Sequence, residues 1–145
     1  MSKENVELVR SMLAPLDGVD VGGIDWGDAA MREILEQNYS PDVELRTMQS
    51  AVGIGPSALY RGVDGVAQYL QEWFEPFSEY RMDFLDWIDA GDRVIVPMRA
   101  RGVGAASGVQ VDMELTLSYE VRDGRITRLD QYDTPEDALK AAGLS

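Results

Sequence analysis

From Val109 to Val121 apolar and polar residues alternate without a break. Val109, Val111, Met113, Leu115, Leu117, Tyr119 and Val121 are apolar, and every residue between them is polar. A period of two belongs to a β-strand with one dry face and one wet face, because successive side chains leave a strand on opposite sides. Asp123-Gly124 follows, a dipeptide suited to a tight hairpin, and Ile126–Tyr132 reads as the returning strand. A hairpin is at best marginally stable alone, so the rest of the chain has to cover its apolar face.

The segments upstream supply that cover. Ser2 is placed to cap a helix over Lys3–Ala14, with Val6, Val9 and Leu13 as a stripe widened by Leu8 and Met12, and Pro15 ends it. The Gly- and Asp-rich run L-D-G-V-D-V-G-G-I-D reads as a loop. Asp25 or Asp28 then caps a second helix to about Asn38, with Met31, Ile34 and Leu35 facing inward and Trp26 as a hydrophobic staple. Ser40-Pro41-Asp42 turns into a short strand from Val43 to about Met48. The next stretch, S-A-V-G-I-G-P-S-A-L-Y, is Gly-rich yet apolar; it suits a lid over a pocket mouth or an irregular connection with a few buried anchors. A third helix over Val63–Glu75 carries Val66, Tyr69, Leu70, Trp73 and Phe74 on one face and stops at Pro76.

Beyond Ser78 the period changes to two. Tyr80, Met82 and Phe84 alternate, and the pattern slips by one at Leu85-Asp86-Trp87, which predicts a bulge that bends the sheet. Ala90-Gly91-Asp92 is a hairpin turn, Arg93–Gly102 a strand and Gly102–Gly108 a flexible link. Thr134-Pro135-Glu136-Asp137 starts a last short helix that ends at Gly143. The order is helices first, with one strand among them, then a four-stranded antiparallel meander. This predicts a single α+β domain over residues 1–145, in which helices gather on one side of a curved sheet and close it into a cone with an internal pocket.

Composition removes several chemistries. Among the 145 residues there is no Cys and no His, which excludes thiolate nucleophiles, disulfides and the usual Ser-His-Asp and Cys-His arrangements. A net charge of −13 argues against nucleic acid, whose phosphates need a surplus of Lys and Arg. No apolar run approaches the ~20 residues of a membrane span, and M-S-K-E-N-V has no signal-peptide pattern. The expectation is therefore a cytoplasmic protein with no membrane partner. Acids are spread evenly and no D-x-D-x-D-G loop occurs, so neither a metal nor a cofactor is expected.

Several motifs occur in a telling order: S-K-E-N-V-E-L-V-R, S-P-D-V-E-L, Y-R-G-V-D-G-V, I-D-A-G-D-R-V and R-D-G-R-I-T-R-L-D-Q-Y. Together they resemble the nuclear transport factor 2-like superfamily in its SnoaL-like branch, over essentially the whole chain. The resemblance implies a cone-shaped α+β barrel around a deep apolar pocket and a homodimer through the outer sheet face. The superfamily spans polyketide cyclases, ketosteroid isomerases, epoxide hydrolases, dehydratases and non-catalytic binders, so it does not imply one reaction. The limonene epoxide hydrolases end in a similar stretch whose Asp is catalytic; here Gln131 stands at that place. They also carry Arg and Asp two apart on an inner strand; here Arg99 matches the Arg and Arg101 stands at the Asp. The ketosteroid isomerases place a catalytic Asp after V-E, where this chain has Leu45, and scytalone-type dehydratases need His, which is absent.

The candidate site follows from both readings. Arg99 and Arg101 share one face of their strand. Pointing inward, as the epoxide-hydrolase match implies, they would bind a carboxylate, enolate or phenolate; near a strand end they would pair with surface acids. Thr127, Leu129 and Gln131 oppose Ile126, Arg128, Asp130 and Tyr132, and both sets are mixed, so either Gln131 or Asp130 enters the pocket. Asp130, Gln131 and Arg99 are the catalytic candidates. Leu45, Tyr60, Trp73, Met113, Leu115, Leu117, Tyr119 and Leu129 complete the expected wall, with Tyr60 as a phenolic donor at its rim. Asp112 and Glu114 are expected outside. Val94, Val96, Met98 and Ala100 offer an apolar outer face for dimerisation or another polypeptide. The function these features support is small-molecule binding, with proton-transfer chemistry on a carbonyl compound or simple binding without a catalytic acid as the two alternatives.

Overall fold

The computed structural model describes residues 2–47 and 59–143, the Ser2 side chain excepted. The Ser2 cap, Met48 and most of the Gly-rich apolar stretch therefore lie outside the described residues. Helix α1 (Ser2–Leu13) runs into a 3-10 turn, Ala14–Leu16, where Pro15 cannot donate to a continuing helix. Helix α2 (Ala29–Asn38) is capped by Asp28, whose carboxylate accepts from the Ala30 N–H at 3.2 Å. Strand β1 (Tyr39–Arg46), the short β2 (Leu59–Arg61) and helix α3 (Gly62–Phe74) follow. The β meander is β3 (Phe77–Phe84), β4 (Ile88–Ala90), β5 (Arg93–Gly104), β6 (Gln110–Arg122) and β7 (Arg125–Tyr132). Helix α4 (Pro135–Ala141) closes it, with Thr134 Oγ1 accepting from Asp137 N.

The strands form one open sheet in the order β2-β1-β7-β6-β5-β3, with β4 also paired to β5. Both β3 and β4 pair antiparallel with β5, β5 with β6 and β6 with β7, and β1 joins the sheet parallel to β7. The slip after Phe84 is a bulge. Phe84 faces Met98 and Ile88 faces Ile95, so three residues of one strand oppose two of the other. A second bulge lies in β7. Leu129 faces Tyr119 while Ile126 faces Val121, which leaves Thr127 as the extra residue, its hydroxyl donating to Glu120 Oε1 at 2.8 Å. The β6–β7 turn has Asp123 at φ 52° and Gly124 at φ 74°, the left-handed pair that a two-residue hairpin requires.

Helices α1, α2 and α3 fill the concave side of the sheet. Val9, Leu35, Val66 and Phe74 from the helices pack with Leu45, Val96, Leu117, Tyr119 and Leu129 from the strands in one core. Gly102 is part of this packing, because a Cβ there would meet the Phe77 ring at 2.8 Å. The loop after α1 covers the free edge of β3. Gly18 N–H donates to Met82 O and Val21 N–H to Tyr80 O, both at 2.8 Å, while Asp17 and Asp20 accept from the N–H groups of Phe84 and Tyr80.

Two expectations change. The helices do not all lie on one side, since α4 rests on β5, β6 and β7 over the convex face, with Ala138 buried. Val94, Val96, Met98 and Ala100 are not an outer apolar face. All four are at most 3% exposed and belong to the inner core, because the concave side takes the apolar half of an alternating strand. Ile34 faces the concave side as expected, yet stays 45% exposed.

Candidate functional site

Between the three N-terminal helices and the concave sheet lies a cavity of about 400 Å³. This volume falls within the range of small-molecule sites. Its walls are built by the two periodicities of the sequence. The 3.6-residue period of α3 turns Val66, Tyr69, Leu70, Trp73 and Phe74 toward it, and the period of two in β6 turns Leu115, Leu117 and Tyr119 toward it from the other side. Residues from α1 and α2, including Met12, Met31 and Ile34, complete the wall. Among the described residues none of those lining the cavity is Asp, Glu, Lys or Arg.

The polar groups inside are phenols, indoles and one deep amide. Gln131, 3% exposed, donates through Nε2 to the Tyr69 hydroxyl. Trp73 Nε1 donates to the Tyr80 hydroxyl at 3.0 Å. The hydroxyls of Tyr39 and Tyr119 are within hydrogen-bonding reach of each other. Burial pushes the ionisation of Tyr39, Tyr69 and Tyr119 far above the usual phenol range, and that of Tyr80 upward too, so all four are neutral at physiological pH. Trp26 Nε1 is buried with no hydrogen-bond partner among the described residues, and its ring stacks on Phe74 with centroids 5.4 Å apart. Ser11 and Asn38, on the helices, are less deeply placed and bond back to their own helices.

The structure sorts the sequence candidates. Gln131, Leu45, Trp73, Leu115, Leu117, Tyr119 and Leu129 line the cavity. Tyr60 and Met113 do not: Tyr60 stands edge-on to Tyr69 and donates to Glu72, and Met113 packs against the core nearer the strand end. Arg99 and Arg101 are on the opposite face of the sheet. Their neighbours Met98 and Ala100 turn inward, so the strand period sends both guanidinium groups to solvent. There Arg99 grips Asp112 with two bonds, at 2.8 and 2.5 Å, and Arg101 meets Asp83 at 2.8 Å. Asp112 and Glu114 are exposed, as expected.

Asp130 also faces away from the cavity, yet it is fully buried. Its Oδ2 accepts from Arg93 Nη1 at 3.2 Å and from Arg128 Nε at 2.9 Å, and Ser118 Oγ accepts from the same Arg93 nitrogen at 3.1 Å. Thr116, Ser118 and Ile95 are buried on this face too, on the strands that α4 covers. The sequence reading missed the cavity's Tyr39, Tyr69 and Tyr80 as a polar group. Their signal was available as three tyrosines on faces that are otherwise apolar. No cluster of three or more acidic residues suited to a metal occurs among the described residues.

The comparisons with known proteins agree with this fold. The SnoaL-like domain family matches residues 26–129. No curated protein matches the sequence. Among solved structures, a candidate SnoaL-like polyketide cyclase from Jannaschia sp. CCS1 is similar at 18% identity and a TM-score of 0.69, covering 97% of this chain and 91% of the other. An NTF2-like protein of unknown function from Burkholderia pseudomallei K96243 has 14% identity and a TM-score of 0.67, covering 94% and 95%. TerC, co-crystallised with polyporic acid, has 20% identity and a TM-score of 0.65, covering 97% and 98%. At these identities the structures show a shared fold.

Proposed function

This chain belongs to the SnoaL-like domain family, and from that premise we propose that it binds a small, uncharged, largely apolar molecule in the cavity between its helices and its sheet. The observation that carries the reading is the absence of any charged side chain among the described lining residues, combined with a wall of aromatic and aliphatic groups. A carboxylate entering such a site would give up its hydration without meeting a counter-ion, whereas a neutral apolar guest gains from burial. The anion-binding role expected of Arg99 and Arg101 has no place in this reading, since both lie on the far side of the sheet. TerC, similar in fold, was co-crystallised with an organic molecule, polyporic acid.

Proton transfer in the cyclase or isomerase manner needs a base that reaches the guest. Asp130 is the buried carboxylate nearest in sequence to the cavity wall, and it is held outward by Arg93 and Arg128. The neutral cavity therefore favours binding without acid–base catalysis by the chain. Trp26 and Trp73 line the cavity, so their fluorescence reports occupancy. Titration with methyl naphthoate and with naphthoate itself compares a neutral and an anionic guest of one skeleton. The expected result is saturable quenching by the ester and at least about tenfold weaker binding of the acid at neutral pH. Tighter binding of the carboxylate would overturn the proposal.

A further inference from the structure

The hydrogen-bond inventory of the cavity is lopsided. Tyr80 Oη already accepts from the Trp73 indole N–H, a group that can only donate. Its own O–H proton has no acceptor among the described residues. Tyr69 Oη is in the same position, accepting from Gln131 Nε2. Tyr39 and Tyr119 hold two protons between two hydroxyls in mutual reach, and one bond between them uses only one of those protons. Trp26 adds a buried N–H with no partner among the described residues.

Acceptors are scarce by contrast. Gln131 is the deep amide and is held through its Nε2 on Tyr69, and Ser11 and Asn38 sit on the helices where water competes. A buried N–H or O–H without an acceptor is costly, while a spare lone pair on an oxygen is tolerated more readily. Accepting one hydrogen bond also polarises a hydroxyl and strengthens its donation to the next partner.

Resting on the binding reading above, we infer that this cavity selects guests whose polar atoms are acceptors only, such as ketones, over the matching alcohols and hydrocarbons, with Tyr80 and the Tyr39–Tyr119 pair as the donors that read them. An alcohol also offers an oxygen, but its own proton has to compete for the few deep lone pairs, those of the phenol oxygens and the Gln131 amide. A hydrocarbon fills the same space and leaves the phenol protons unpaired.

The test uses fluorenone, fluorenol and fluorene, three probes of one skeleton, titrated into the full chain with tryptophan fluorescence as the readout. Fluorenone is expected to bind about fivefold or more tighter than fluorene, with fluorenol weaker than the ketone. The ketone-to-hydrocarbon affinity ratio is expected to fall toward one in Tyr80→Phe and in Tyr119→Phe, each checked for folding by thermal melting. Equal binding of all three probes, tightest binding by the alcohol, or a ratio unchanged in both variants would overturn the inference while leaving the cavity a binding site. Failure of all three to bind would sink the binding reading, and the inference with it.

Discussion

The two faces of the strands β5–β7 carry opposite chemistries, one residue apart. Met98 and Gln131 look into the cavity; their immediate neighbours Arg99 and Asp130 look away from it. Among the described residues lining the cavity every polar group is neutral, and burial holds the phenols in their protonated form. On the convex face charges are abundant, and even the fully buried Asp130 stays among cations, between Arg93 and Arg128. Burial alone does not exclude charge; burial without a partner does. The strand period keeps the two chemistries one residue apart.

The largest break in this contrast comes from Asp130→Ala. It removes the buried carboxylate shared by Arg93 and Arg128, of which Arg93 keeps Glu120 and Ser118, and a loss of about 3 kcal/mol in urea unfolding is expected. Guest binding should change little, because the residue faces away; a loss of binding at retained stability would place Asp130 at the cavity after all. Gln131→Asp makes the reverse change by putting a carboxylate on the neutral face. Desolvation raises its pKa in the folded state, so the fold binds more protons than the unfolded chain. Stability is then retained in acid and lost as pH rises from the ordinary Asp range through the raised value, to a cost of about 2 kcal/mol. Denaturation midpoints across pH check the sign, and a variant that is equally stable at all pH values would show a counter-ion in the cavity.

At the sheet edge the sign reverses. The backbone N–H groups of Tyr80 and Gly22 hold the Asp20 carboxyl below its ordinary value of 3.8. The folded chain thus binds fewer protons there than the unfolded one. Its contribution is complete above 3.8 and disappears as pH falls through the depressed value. Asp20→Asn should flatten that acid limb, measured as the denaturation midpoint against pH. The smallest effect is expected from Arg99→Ala. Its pair with Asp112 is half exposed on the convex face, so binding of methyl naphthoate should be unaltered and stability nearly so, with the small residue screened by salt. A marked loss of binding would return Arg99 to the site.

Much of the fold was legible because local periods carry it. The 109–121 alternation, the Asp123-Gly124 turn, the slip after Phe84 and the Thr134-Pro135 start each have a physical signature within a few residues, and each has its counterpart in the structure. The site was less legible. The inward placement of Arg99 came from a resemblance, although Val94, Val96, Met98 and Ala100 already marked the other face as the dry one. The mixed pattern of 126–132 had a different cause. Thr127 is a bulge residue, so Ile126 and Leu129 both face inward at a spacing of three, and no strict alternation could have assigned the face.

Sequence alone determined the long strands of the meander, the helices and the absence of histidine and cysteine chemistry, since these depend on residue type and short-range spacing; the short β2 was not legible in it. Only the tertiary structure decided that Gln131 faces the cavity and Asp130 does not, that Tyr39, Tyr69, Tyr80 and Tyr119 converge, and that α4 covers the convex face. Those outcomes depend on one inserted residue and on pairings between segments tens of residues apart. Facing and convergence are properties of register, and register is set by the whole sheet at once.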